Sequence, residues 1–376
     1  MSSKTQTYDV VIIGAGIVGA ACARECTRAG LHVAVVEADF VGGGATAAGM
    51  GHIVVMDDSE PQFALTRYSQ QLWHELAPEL TPDVEYMACG TIWVAADDQE
   101  MQEVRRKQQY YGARGVPTEI LDARALYEAE PHLRPGLLGA LLVPEDLVIY
   151  APCAARFLLQ QAQAHSCDLY LDKVTGISEG GVVLQKGGSL NAGAVINAAG
   201  TWAPQLTPGL EMRPRKGHLV ITDRYPGFVR HQLVELGYLK SAHTLTAESF
   251  AFNVQPRITG QLLIGSSRQF GVEENAVDNH IIAGMLARAC EYLPELARMS
   301  AIRCWTGFRA ATPDKLPVIG KAPGHDHLYL ATGHEGLGIT TSLATARLLL
   351  DQLLQRTPAI PAGPYLPTRN LEFAHA

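Results

Sequence analysis

Over the first forty positions, apolar residues arrive in short bursts broken by glycine. Tyr8 to Ile13 is a β-rich apolar run, Gly14 to Gly19 is a glycine turn, and Ile17 to Gly30 carries helical spacing before a second run, Leu31 to Val36. The period changes from strand-like to helical and back, which predicts a βαβ unit. From Tyr86 to Val143 the pattern shifts to short strands such as Gly90 to Ala95, a charged amphipathic helix near Asp98 to Gly112, and proline turns. That stretch reads as an inserted piece.

The alanine-rich stretch Ala151 to His165 predicts a helix. It leads to strand-like Leu169 to Ile177, a polar hairpin, and Ala192 to Gly200, which returns to the style of the opening unit. Between Arg213 and Thr306 come the strands HLVIT, SFAFNV and QLLIGS and one amphipathic helix, Asn279 to Leu293, stopped by Pro294. These suit an antiparallel sheet with helices on one side. A last strand, Leu328 to Ala331, passes through a glycine turn into a helix from Thr341 to Gln355. The expected fold is α/β. A discontinuous Rossmann-like domain takes residues 1–85, 144–211 and 312–376, and an α+β domain with the antiparallel sheet takes 86–143 and 212–311.

Composition narrows the function. Of 376 residues 47% are hydrophobic and 18% charged, enough apolar material for large cores. A net charge of −8 without a basic patch excludes a nucleic-acid surface and leaves a small molecule as the expected partner. The seven cysteines, Cys22, Cys26, Cys89, Cys153, Cys167, Cys290 and Cys304, are scattered and form no CxxC pair, as for reduced thiols in a cytoplasmic protein. No signal segment precedes the first strand, and no apolar run approaches the ~20 residues of a membrane helix. The expectation is a cytoplasmic protein, with peripheral attachment at the inner membrane left open.

Gly14, Gly16 and Gly19 match GxGxxG directly after a strand and at the opening of a helix, the context that gives this motif meaning. Gly14 permits the tight turn, Gly16 lets backbone approach a pyrophosphate, and Gly19 lets the helix pack on the sheet. The helix N-terminus then favours phosphate charge. Glu37, ending the second strand, is placed to accept from a ribose diol. This unit alone leaves FAD and NAD both open.

Five segments carry a wider resemblance: YDVVIIGAGIVGAACARECTRAGLHVAVVEA, GGGATAAGMGH, VINAAGTWA, WTGFRAATPDKLPVIGKAP and YLATGHEGLGITTSLATARLL. On these, spanning nearly the whole chain, the sequence resembles the D-amino-acid oxidase/dehydrogenase superfamily of FAD enzymes, which includes glycine oxidase and sarcosine oxidase. The resemblance implies an FAD-binding domain, a substrate-binding domain and FAD as the dinucleotide. The implied cofactor contacts begin with Gly14, Ala15, Gly16, Ile17, Val18 and Gly19, then Glu37 and Ala38. The segment after the second strand adds Thr46, Ala48, Gly49 and Met50. Val174, Ala199, Gly200 and Trp202 come from the middle of the chain. Gly333, His334, Gly336, Leu337, Gly338, Ile339 and Thr340 form the C-terminal turn over the isoalloxazine.

Two departures matter. Sarcosine oxidases carry a flavin-linked cysteine five residues before a threonine that here is Thr312; this chain has Gly307 there, and Cys304 lies three residues too early. Non-covalent FAD is therefore expected. Glycine oxidases carry a second arginine where this chain has Gly336, which leaves His334 and Glu335 to shape that side. The runs AAGMGHIVVMDDS and ATGHEGLGITTS are most similar to the branch that oxidises cis-4-hydroxy-D-proline; near relatives include glycine oxidase-like proteins and subunits of hydrogen cyanide synthase.

By the same resemblance Arg309 grips a substrate carboxylate with its guanidinium fork. The implied reaction is hydride transfer from Cα of a small D-amino or imino acid to flavin N5, giving a pyrroline carboxylate from a proline-type ring. Catalytic candidates are Arg309, His52, His334 and Glu335, the histidines suited to a hydroxyl or a flavin oxygen. Tyr238, Phe252, Asn253 and Arg268 lie on strands of the second domain with their faces undetermined. His325, Asp326 and His327 read as a solvated turn and no metal is expected; RPRKG, Arg213 to Gly217, reads as a strand start with exposed charges. The electron acceptor is open between oxygen, a respiratory carrier and partner subunits.

Overall fold

The computed structural model describes residues 7–237 and 248–369. They form two compact units, each assembled from separated stretches of chain. The first takes the chain up to Val84, Tyr150–Pro214, and the part from Phe308 onward; the second takes Glu85–Ile149 and Arg215–Gly307. The junctions differ by a few residues from those expected. Residues 144–149 stay with the second unit because Gly90 N–H donates to Asp146 O at 2.9 Å and Met87 and Val148 exchange backbone bonds of 2.9 and 3.0 Å.

In the first unit the sheet runs Val318–Lys321, Leu328–Thr332, Ser189–Asn197, Thr7–Ile13, Val33–Glu37, Cys167–Leu171. The last five are mutually parallel and the edge strand Val318–Lys321 is antiparallel; off this path Gly181–Leu184 joins the same sheet, antiparallel to both Ser189–Asn197 and Val174–Ser178. Val11, Ile12, Val33, Val35 and Val195 are fully buried, as continuous β-branched runs are when both faces of a sheet are covered, and on one face Val11 and Ile13 pack with Val174 and Val182 of a hairpin. The helix Ile17–Arg28 packs against both Ala151–Gln163 and the C-terminal helix Gly338–Leu353. The run Leu169 to Ile177, expected as one strand, is two, Cys167–Leu171 and Val174–Ser178. Asp172 Oδ1 breaks it by accepting from Lys173 N at 2.7 Å and Lys186 N at 3.3 Å.

The second unit's sheet is ordered Ala301–Ala311, Arg213–Arg224, Gln261–Phe270, Glu248–Pro256, Gln232–Glu235, Thr91–Ala95, Gly139–Val143, Glu119–Asp122. It is mixed where an antiparallel sheet was expected, since Gln232–Glu235 pairs in parallel with Thr91–Ala95. The strand of the inserted piece and the strand that resumes the unit enter side by side in the same direction. One face packs Ile92, Val94, Leu233, Phe252 and Val254 against Met285 and Ala289 of the helix Asn279–Tyr292. Phe252 stacks on Tyr292 with centroids 4.4 Å apart, so it belongs to this core and not to a ligand site. Asn253 takes the opposite face by alternation, Arg268 is half-buried, and Tyr238 lies outside the described residues. RPRKG departs from its reading as exposed charge: Arg215 and Lys216 are buried, and Lys216 Nζ donates to Ala276 O at 2.6 Å.

Candidate dinucleotide and active site

The strand Thr7–Ile13 delivers the chain into Gly14, whose φ of +99° is open to glycine at little cost. Gly14 N–H donates to Val36 O at 2.8 Å, which ties the turn to the next strand. A Cβ on Gly19 would lie 2.0 Å from Gly14 O, so only glycine lets the helix Ile17–Arg28 approach this closely. Gly16 is the N-cap and makes no side-chain cap bond; a Cβ there would sit 3.2 Å from Thr46 Oγ1. The structure thus brings backbone to the surface of a helix N-terminus with no Cβ at Gly16 in the way, the geometry that receives a phosphate. Thr46 reaches it too, because its Oγ1 accepts from Ile17 N at 3.0 Å. Glu37 ends its strand held by Ala15 N at 2.7 Å and Asp39 N at 2.9 Å.

A chain of contacts joins this turn to the other segments singled out in the sequence. Gly14 lies under Ala198 O, at 2.8 Å from where its Cβ would be. Asn197, fully buried at the end of its strand, donates from Nδ2 to Ala203 O at 3.0 Å and Thr207 Oγ1 at 2.9 Å. Its Oδ1 accepts from Ala199 N at 3.2 Å, and this fixes the turn that carries Ala199, Gly200 and Trp202. Thr332 Oγ1 then donates to Gly200 O at 3.0 Å, Thr340 Oγ1 donates to His52 O at 2.8 Å, and a Cβ on Gly49 would meet Ile339 Cδ1 at 2.7 Å. Trp202 stays 55% exposed beside Gly44. No such contact reaches Val174 or Ala38 among the described residues: Val174 is buried in its hairpin and Ala38 is exposed.

Arg309 is half-buried on the strand Ala301–Ala311, and burial pushes its pKa down to about 10, so it remains a cation at neutral pH. The next two residues pair with the C-terminal turn, Ala310 opposite Glu335 and Ala311 opposite His334. Glu335 adopts φ +50°, unusual away from glycine, which turns the chain sharply into the helix Gly338–Leu353. A Cβ on Gly336 would stand 3.7 Å from Arg309 Cδ and Nε, an ordinary contact distance that sets the arginine beside this turn. His334 is buried and shares a hydrogen bond of 3.0 Å between Nε2 and Thr345 Oγ1; burial pulls its pKa down to about 3 and keeps it neutral.

Sequence reasoning passed over Asn197, Thr332 and Thr345. Only Asn197 had a signal, a lone carboxamide closing an apolar strand. The two threonines acquire their roles from residues distant in sequence.

Residues 9–352 match the family described as FAD dependent oxidoreductase. The glycine oxidase of Geobacillus kaustophilus is 29% identical over 98% of both chains, and its crystal structure superposes with a TM-score of 0.88, covering 98% of this chain and 100% of that one. The glycine oxidase of Pseudomonas aeruginosa is 30% identical over 96% of this chain and 99% of its own. The hydrogen cyanide synthase subunit HcnC of the same organism is 28% identical over 97% and 96%. A helix-terminal cradle that only glycine permits, joined to the segments that follow it and matched across nearly the whole chain, places this protein in the FAD dependent oxidoreductase family.

Proposed function

We propose that this FAD-dependent oxidoreductase oxidises a small amino or imino acid at its α-carbon, with cis-4-hydroxy-D-proline as the first substrate to test and glycine or sarcosine as the alternative. The observation that carries the reading is Arg309. Its side chain runs beside Gly336 of the C-terminal turn, and its guanidinium fork suits a carboxylate through two parallel charge-assisted hydrogen bonds. An amino-acid substrate supplies such a carboxylate. The glycine oxidase relatives support the class of substrate by their names, and the HcnC relative keeps open a role as one subunit of a larger enzyme.

Bound FAD supplies the two-electron acceptor that none of the twenty side chains provides. The chain does the rest. Gly16 and Thr46, in the turn that Gly14 and Gly19 make possible, would hold the pyrophosphate end, Glu37 would hold the ribose, and the turn from Gly333 to Thr340 would close over the ring system. Arg309 fixes the carboxylate and so the direction of the Cα–H bond. His334, neutral and held by Thr345, shapes the turn without offering a proton, and Glu335 is the acid beside it.

The test is anaerobic reduction of the purified yellow protein by cis-4-hydroxy-D-proline, D-proline, other D-amino acids, sarcosine and glycine. Bleaching by one of them is expected, and bleaching by none overturns the reading. Arg309→Ala should lower kcat/KM by roughly a hundredfold or more, mostly through KM, with the flavin still bound. Comparing oxygen with an artificial dye as acceptor then separates an oxidase from a dehydrogenase.

A further inference from the structure

The turn from Gly333 to Thr340 leaves the carboxyl end of Leu328–Thr332, a strand parallel to Ser189–Asn197 and, through it, to Thr7–Ile13. It therefore opens on the same edge of the first unit's sheet as the glycine turn, the edge where open α/β sheets take their ligands. Leu337 N–H donates to His334 O at 2.9 Å and closes this turn onto the helix Gly338–Leu353. The first part of that helix carries hydroxyls at Thr340, Thr341, Ser342 and Thr345. Three of them donate to carbonyl oxygens: Thr340 to His52 O at 2.8 Å, Thr341 to Leu337 O at 2.8 Å and Ser342 to Ile339 O at 2.9 Å. Thr345 Oγ1 instead meets His334 Nε2 at 3.0 Å.

Thr345 is 0% exposed, and among the described residues its hydroxyl has no partner but His334. If Nε2 carried the ring hydrogen and donated to Oγ1, the hydroxyl's own hydrogen would be enclosed without an acceptor, an arrangement that buried polar groups avoid. The O–H therefore donates to Nε2, and in the neutral imidazole the hydrogen belongs to Nδ1. Burial keeps the ring neutral, with a pKa of about 3. Nδ1 itself makes no hydrogen bond among the described residues, and it is not one of the fully enclosed polar atoms of the fold. The 8% of His334 that stays open thus includes this N–H. The outcome is a neutral donor, fixed in its tautomer, in a turn at the ligand edge.

We propose that His334 Nδ1–H donates a hydrogen bond to a carbonyl oxygen of the flavin ring, and that Thr345 is the positioning residue that aims it. The proposal rests on the turn closing over the ring system, and it deepens the reading above by naming what tunes the flavin, whatever the amino acid. A hydride arriving at N5 brings two electrons and one unit of negative charge, which spreads over N1 and the adjoining carbonyl oxygen. A donor there binds the reduced ring more tightly than the oxidised one, because hydrogen bonds to charged acceptors are the stronger. The reduction potential rises accordingly, and no proton leaves the histidine.

Thr345→Val removes the hydroxyl at nearly constant shape, and Thr345→Ser retains it. In oxidised holoenzyme with isotope-labelled histidine, ring-nitrogen NMR, assigned by the signal lost in His334→Gln, should place the hydrogen on Nδ1 in the wild type and in Thr345→Ser. In Thr345→Val it should move at least in part to Nε2. The same variant should lose about tenfold in preference for reduced over oxidised flavin, a fall of about 30 mV in the two-electron potential, while Thr345→Ser keeps the wild-type value. A wild-type ring with its hydrogen on Nε2, which needs no variant to detect, overturns the proposal. So does a Thr345→Val potential equal to the wild type's, or a fall of the same size in Thr345→Ser, which assigns the effect to packing. The potential is set with dithionite and a reference dye, so it is read even where no amino acid reduces the flavin, the result that overturns the amino-acid reading alone.

Discussion

At His334 the imidazole touches Thr345 Oγ1 at 3.0 Å, and burial holds its pKa near 3. In the unfolded chain the same group takes up a proton near pH 6.5. Between those values the unfolded state binds the extra proton, so stability is lost as pH falls from about 6.5 towards 3, by up to roughly 1.4 kcal/mol per unit. His334→Gln removes the titration; its melting temperature should fall less steeply with acid over that window, and a curve parallel to the wild type would assign the acid sensitivity elsewhere. Single residues were unevenly legible. Arg309 and the three glycines could be named because their chemistry goes with a local motif. His334 could be named as well, but its neutral state follows from burial among residues distant in sequence, which no local pattern records.

The glycine turn shows what an element demands. A Cβ on Gly19 would press to 2.0 Å from a backbone oxygen, whereas one on Gly112, at the end of the helix Asp98–Gly112, would meet nothing within 4 Å. Gly19→Ala should therefore weaken FAD binding at least tenfold and lower the melting temperature by several degrees, while Gly112→Ala should be neutral or stabilising by up to about 1 kcal/mol. FAD titration and thermal melts of both variants check this. The opening βαβ unit and the charged helix Asp98–Gly112 were readable because period and capping agree there; Asp97 caps that helix through Glu100 N at 2.8 Å. The C-terminal helix starts at Gly338, earlier than the expected Thr341, because the turn at Glu335 feeds it directly. The parallel pairing of Gln232–Glu235 with Thr91–Ala95 was hidden, since strand direction in a sheet is fixed by tertiary assembly and not by either strand's own residues.

For the molecule as a whole, the family settles the cofactor and the sequence bears on how it is attached. Gly307 takes the place of a linking cysteine, and Cys304 is exposed on its strand. Denaturing the protein in acid or hot ethanol should release all of its flavin into solution, and colour that stays with the precipitate would contradict non-covalent binding. Because FAD binds the folded state, added FAD should also raise the melting temperature of the apoprotein in proportion to the logarithm of its concentration. The described residues include no helix long and apolar enough to cross a membrane.

The first strand and the glycine turn precede in the chain all that braces them: the helix behind them packs on Gly338–Leu353, and their sheet takes in Ser189–Asn197 and Leu328–Thr332. A nascent chain stopped anywhere before that last helix therefore holds the phosphate cradle without the elements that brace it. Flavin binding in this fold therefore depends on contacts between segments far apart in the chain.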